Sequence, residues 1–546
     1  MEAPIIRTCK VALIAASLAV PAVAIPAAAS TRPADLSDYV KARAADADGD
    51  ARRAAAGYGA ALTAAPGNAL VAIRAYRAAM EAGDVTLADR ALTVLEQADV
   101  APTDGALWRL AAAVAAQDDK AASRATEALQ RGPLAFTMPI VKAWQAMGRK
   151  RDPFPALATG TDNPLFKRYE SENHALLLIA RGHVADGVAA IRAVSSLDRS
   201  GVDTRISAAR LLIGAGHAEQ AQALLAGHDP EVAAVAAGLK GARPSFGFGV
   251  SQLFARLADD LAAGDPIPLS LVLARAALRA DPANDRARLL LAESLSDLGE
   301  TALALEALDA VDPNGAFGPA AADARVSVLA RAGDDAEALV AAAALAEAPD
   351  AGVIAIQRYG DQLVAAKRYA EAAGVYDSAI ARAGDRATWL LWLQKGGAYE
   401  QAGDWANARP ALEKALELAP DEPIVLNYLG YSSLENGGDP ASALALVERA
   451  HALEPDDPAI TDSLAWAHFR LGDIATALPL LQQAAKKSPA DVEINEHLGD
   501  AYWQAGREFE ARYAWRAAAI YAEGDDATRL ADKLAAGLPA QERAAR

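Results

Sequence analysis

Apolar residues recur along most of the chain at the three-to-four-residue spacing of amphipathic helices, and short breaks rich in Gly, Asp or Pro separate the runs. The pattern is most regular between Trp389 and Glu523, where one block comes round four times. Gly396, Gly430, Ala465 and Gly499 mark the same place in successive blocks, 34, 35 and 34 residues apart. Ala408, Ala443, Ala477 and Ala511 follow, then Ala415, Ala450, Ala484 and Ala518; Pro420, Pro455 and Pro489 close the first three blocks. Two antiparallel helices joined by a short turn approach closely only where facing side chains are small, because interiors tolerate few voids. Trp392, Tyr399, Leu412, Leu429, Leu464, Leu481, Leu498, Tyr502 and Trp515 then fill the remaining core. Asp457-Pro458 reads as a helix cap followed by a first-turn proline. The period predicts helix-turn-helix units, each burying its apolar face only by stacking on the next.

Outside this stretch the register is weaker. Blocks run from about Asp35 to Asn68, from Ala69 to Pro102 and on to about Phe136; the next begins with Ile140 and Trp144 and breaks at Arg151–Pro155, followed by a polar connector from Thr159 to Pro164. A second irregular stretch, Gly238 to Gly249, carries Gly247-Phe248-Gly249. A phosphate-cradling loop needs a preceding strand and further glycines at a helix start, and neither is present, so this stretch reads as a hinge. The period returns from Ser251, and Asp525–Ala536 reads as a terminal helix with Leu530 and Leu534 on one face, stopped by Gly537 and Pro539. The expectation is about fourteen helix pairs, divided as 35–167, 168–250, 251–388 and 389–525, with 526–546 as capping helix and tail.

Trp392, Gly396, Tyr399, Gly403, Trp405, Ala408, Ala415 and Pro420 resemble the tetratricopeptide repeat, with Lys395 departing where a leucine is usual. The resemblance implies an all-α fold, a right-handed α-α superhelix. The strings VLNYLGYS, DSLAWAHFRLGD and INEHLGDAYWQAGREFEARYAW are similar to a group of bacterial exported proteins of this kind. That resemblance implies a scaffold and carries no catalytic activity with it.

Composition changes the picture at the N-terminus. Arg7 and Lys10 precede the apolar run Val11–Ile25 and the small residues Ala27–Ala29, which reads as a secretory signal peptide, residues 1–29, cleaved after Ala29 or after Ala24. The run is short for a spanning helix and holds Pro21, so a membrane anchor fits less well. Cys9, the single cysteine, lies in this segment, so the mature chain would carry no thiol, as suits an oxidising periplasm. A formal net charge of -18 opposes nucleic-acid binding and favours basic or neutral partners.

The seven histidines form no metal-ligand spacing, and no nucleophile elbow is present; no catalytic, cofactor or metal residues are assigned. Asp456-Asp457 and Asp525-Asp526 read as helix-start acids. In the resembled repeats the first helix of each pair lines the concave side, with positions 2, 5, 9, 12 and 13 facing it. Carried onto this chain, that face holds Asn427, Tyr431, Asp462, Trp466, Phe469, Arg470, Glu496, Asp500 and Trp503, an aromatic file ringed by acids with the make-up of an interaction surface. Trp466 and Trp503 fit equally well as packing between repeats. Six of the eight tryptophans lie beyond residue 388, which points to the C-terminal block as the binding region.

These residues lead to a non-catalytic periplasmic scaffold that binds a protein or peptide of a cell-envelope complex, with no cofactor and no membrane span after cleavage. An accessory role in envelope polysaccharide synthesis or export is the alternative, since sugars also favour aromatic platforms.

Overall fold

Aspartates and glycines set the helix boundaries. In the C-terminal repeats the carboxylates of Asp404, Asp439, Asp457, Asp473 and Asp491 each accept a hydrogen bond from the backbone N–H three residues on. Such caps are worth about 1 kcal/mol apiece. Between the two helices of each repeat, Gly403, Gly437, Gly472 and Gly506 take φ of 75 to 82°, the left-handed turn that side chains resist.

A computed structural model describes residues 33–159, 164–194, 199–226, 235–236, 238–262, 268–349 and 351–538. Among these there are 29 α-helices, two short 3-10 helices and no strand. The stacked helix pairs expected from the periodicity, and the all-α superhelix that the resemblance implies, are the fold. The expected signal peptide (1–29), part of the first connector (160–163) and Pro539 lie outside the described residues.

The chain divides into two compact units between Pro102 and Thr103, inside the segment 35–167. In the first unit, Pro33–Ala47 pairs with Ala51–Ala64 and Ala69–Ala82 with Val85–Gln97. Tyr58, Tyr76 and Leu92 fill its core, and the Tyr58 hydroxyl donates to Asp46.

The second unit continues the pairing from Gly105–Ala115 onward. Its C-terminal repeats are Trp389–Gln401 with Trp405–Leu418, Pro423–Glu435 with Pro440–Leu453, Pro458–Arg470 with Ile474–Lys487, and Val492–Gln504 with Glu508–Ala519; Gly524–Ala536 closes the row. The recurring small residues are the contact points. Ala408, Ala443, Ala477 and Ala511 are buried, and a Cβ on Gly499 would stand 2.3 Å from the Trp515 ring. The first helices of adjacent repeats also touch one another, Pro423–Glu435 on Pro458–Arg470 and that on Val492–Gln504, so they form one continuous face.

The stretch read as a hinge is packed instead. Phe246–Gly249 is already the first turn of the helix Phe246–Ala262, and a Cβ on Gly249 would fall 2.0 Å from the Trp144 indole. The Ala242 N–H donates to the Arg210 carbonyl at 2.8 Å, and a Cβ on Gly214 would stand 2.0 Å from the Ala242 oxygen. These glycines serve close backbone approach rather than bending, and that distinction is invisible in a Gly-rich string.

Candidate functional site

The face built by the first helices of the last three repeats carries every residue expected at the site. Position 5 holds Asn427, Asp462 and Glu496, and position 9 holds Tyr431, Trp466 and Asp500. The structure brings most of them into one polar and aromatic network, more buried than an open groove would be.

At its centre is the buried pair Asp462–His497, with Oδ2 and Nδ1 2.8 Å apart. Burial works against a charged imidazole, but the Asp462 carboxylate, its hydrogen bond, and Glu493 and Asp500 outweigh it and raise the His497 pKa to about 9. The ring therefore carries a charge at neutral pH. It stacks on the Trp466 indole at 3.9 Å and 14°, a cation against an aromatic face. On the same helix Phe469 stacks with Trp466 at 4.7 Å. Trp466 is 7% exposed and Phe469 0%, so Trp466 packs between repeats and Phe469 offers no surface to a ligand. The second acceptor of Asp462, Oδ1, and the Oδ1 of half-buried Asn427 are buried without hydrogen bonds.

Above this base lies the accessible rim. Trp466 Nε1 donates to Glu435 Oε1 at 2.7 Å, and Arg470 donates to the same oxygen at 2.9 Å. The hydroxyl of Tyr431 donates to Glu493 on the next first helix but one, and burial together with that carboxylate pushes its pKa up. Glu435 and Glu493 are exposed, whereas Tyr431 and Arg470 are half-buried.

Toward the C-terminus the acids are answered from within the chain. Arg529 grips Glu496 with two hydrogen bonds of 2.8 Å, and Lys533 reaches both Glu496 and Asp500 at 2.8 Å. Trp515 Nε1 donates to the other oxygen of Asp500. Burial opposes the charge of Glu496, yet Arg529 and Lys533 prevail and lower its pKa to about 2. For Asp500 burial wins over Lys533 and raises the pKa to about 6. Trp503 packs on Trp515 at 5.4 Å, under the Arg512 guanidinium and against Gly537.

Arg529 and Lys533 escaped the sequence reading because their helix was read only as an apolar cap. A signal was there: Glu496 and Asp500 are four residues apart, and so are Arg529 and Lys533, one period later. Glu493 was also legible, being position 2 of its repeat.

A second network, unforeseen from sequence, lies among the first helices of the centre. Arg256 pairs with Asp260, to which Tyr169 also donates, and its guanidinium lies 5.7 Å from the Tyr169 ring. Arg286 donates to Asp203 at 2.6 Å and Asp259 at 2.7 Å. Both arginines are buried. Among the described residues no group of three His, Cys, Asp or Glu side chains could hold a metal ion, and no helix is long and apolar enough to cross a membrane.

Stacked helix pairs with a continuous first-helix face define a class, the repeat scaffolds, whose working surface is that face. Residues 257–319, 358–423, 393–458 and 463–527 match the tetratricopeptide repeat family. These segments are therefore tetratricopeptide repeats, and repeats of this kind suggest a protein-interaction scaffold. No curated protein matches the chain. Among solved structures, a tetratricopeptide repeat protein from Parabacteroides merdae ATCC 43184 is 14% identical over 46% of this chain and 97% of its own, with a TM-score of 0.39. MamA, residue 41 to its end, from Desulfovibrio magneticus RS-1 is 17% identical over 31% and 94%, with a TM-score of 0.27. PilW, a type IV pilus biogenesis factor, is 18% identical over 35% and 88%, with a TM-score of 0.30.

Proposed function

We propose that the chain is a non-catalytic scaffold of the periplasm whose C-terminal first-helix face receives a protein or peptide from a cell-envelope complex. The observation that carries this reading is the rim of Tyr431, Glu435, Arg470 and Glu493 standing on a base locked by buried ion pairs. A face already ordered loses little side-chain freedom when a partner docks. Exposed acids in a chain of net charge -18 favour a partner segment with lysine or arginine side chains, or a neutral one. The exported character rests on the N-terminal segment 1–29, whose removal would leave a chain without thiols. The glycan alternative loses Trp466 as an open platform, because its indole is buried and stacked with His497 and Phe469.

A photo-crosslinking amino acid in place of Tyr431, used in living cells, tests the reading. Capture of an envelope protein, lost on Arg470→Ala, supports it. Capture of glycan alone, or recovery of the chain with cytosolic proteins, overturns it.

A further inference from the structure

The outer side of the last repeat departs from the three before it. On their second helices, the exposed positions two before and two after the contact alanine are Ala406 and Pro410, Ala441 and Ala445, and Ala475 and Pro479. In the last repeat they are Phe509 and Tyr513, 74% and 62% exposed, with ring centroids 5.5 Å apart. Glu413, Glu448 and Gln482 are replaced by exposed Arg516, and Glu417, Ala452 and Lys486 by Ile520, which is 73% exposed. Spacings of four, three and four residues put Phe509, Tyr513, Arg516 and Ile520 on one stripe of the helix Glu508–Ala519 and its last turn. Tyr521 flanks the stripe at 57% exposure. Every large aromatic side chain exposed among the described residues is here. Packing within the chain does not call for them, since three sister repeats fold with alanine or proline in their place.

The order along the stripe is apolar, aromatic, cation, apolar, and it complements itself when reversed. Laid antiparallel on a copy, with a two-fold axis between Tyr513 and Arg516, Phe509 of each chain meets Ile520 of the other, and each Arg516 guanidinium lies over the other's Tyr513 ring. No charge is then buried without an aromatic or aqueous partner. We propose that this stripe is the seam of a two-fold dimer of the chain, an isologous contact in which one helix serves both partners. A segment of this length spans roughly 20 Å, so the contact is small and falls with weak, reversible associations. The net charge of -18 on each copy opposes the pairing until salt screens it.

Sedimentation velocity on the purified full chain between about 1 and 100 μM tests the proposal over the range where weak contacts dissociate. The expected result is a reversible monomer–dimer equilibrium, tighter at 300 mM than at 50 mM salt by roughly two- to tenfold as like charge is screened. Phe509→Glu with Tyr513→Ala should leave a monomer whose thermal melt matches the parent, since both side chains are exposed. Arg516→Ala should weaken pairing about tenfold, two cation–aromatic contacts being lost at once. A parent that stays monomeric at the highest concentration overturns the proposal, as does a dimer that survives the double substitution. Capture of phospholipid vesicles or of another protein by a monomeric parent does so too, by giving the stripe a different occupant.

Discussion

The C-terminal and central polar networks use the same chemistry at different reach. In the C-terminal network the links among the first helices from Trp466 onward join neighbours in the row: Trp466 and Arg470 to Glu435, His497 to Asp462, Arg529 to Glu496, and Lys533 to Glu496 and Asp500, with separations of 31 to 37 residues. Tyr431 skips a repeat, its hydroxyl donating to Glu493 62 residues on. In the central network Arg286 pairs with Asp259 at 27 residues, but it also reaches Asp203 across 83, and Tyr169 reaches Asp260 across 91. The C-terminal links follow the repeat period, so each charge finds its partner one unit on. In the centre the helix Phe246–Ala262 packs against Met138–Gly148, and contacts leap over intervening segments. Regular repeats keep polar pairing local; where the period fails, the same pairing becomes long-range cross-linking.

Removing one buried cation from each network should separate the two most sharply. Lys533→Met leaves Glu496 and Asp500 short of a partner, and Arg286→Met leaves Asp203 and Asp259 so; each should cost roughly 3–5 kcal/mol. Hydrogen exchange should show the first loss confined to residues 492–536, whereas the second should loosen Arg199–Gly214 and Phe246–Ala262 together. Equal spread from both substitutions would erase the distinction between local and long-range pairing.

The next effect is set by pH. The folded pKa of His497, about 9, lies above its ordinary 6.5, so its contribution is fully present below pH 6.5 and is lost as pH rises through 9. The groups facing it are Asp462, Glu493, Asp500, Tyr431 and Trp466. Melting of the C-terminal repeats should fall by roughly 3 kcal/mol across that interval, and His497→Gln should flatten the profile. At the acid end, Glu496 stabilises above pH 4.5 and loses its effect as pH falls toward 2. In the centre burial pushes the Tyr169 phenol up, so that side chain stays neutral throughout this range.

Overpacking should cost less. Ala477→Leu at a repeat contact and Gly249→Ala against Trp144 should each destabilise by about 1–3 kcal/mol, and an unchanged melt for Ala477→Leu would undo the assigned register. Smallest in stability is Arg470→Ala. The Arg470–Glu435 pair is accessible, so the loss should be within about 1 kcal/mol, while capture of the partner through the rim drops. A variant that binds like the parent would remove Arg470 from the interaction surface.

Much of this was legible before folding. Ala477 and Gly499 recur at the interval where helices touch, so contact points could be counted directly. Position numbering within the repeat also placed Asp462, Trp466 and Glu496 together on adjacent first helices, where the structure has them. It could not tell that Trp466 is sandwiched by His497, because stacking at 3.9 Å depends on the rotation of a neighbouring helix. Nor could it tell that Glu496 and Asp500 are occupied, because the docking of Gly524–Ala536 decides that. Gly247 and Gly249 misled for a related reason: a glycine that permits bending and one that admits an indole are the same letter.

The sequence by itself determined the helix pairs, their period, their caps and the acidic surface, since each follows from spacing and composition within about one repeat. Only the tertiary structure decided which polar side chains are satisfied inside and which face out. That outcome depends on partners 15 to 91 residues away, and burial converts a small difference in helix placement into the choice between a paired charge and an exposed one.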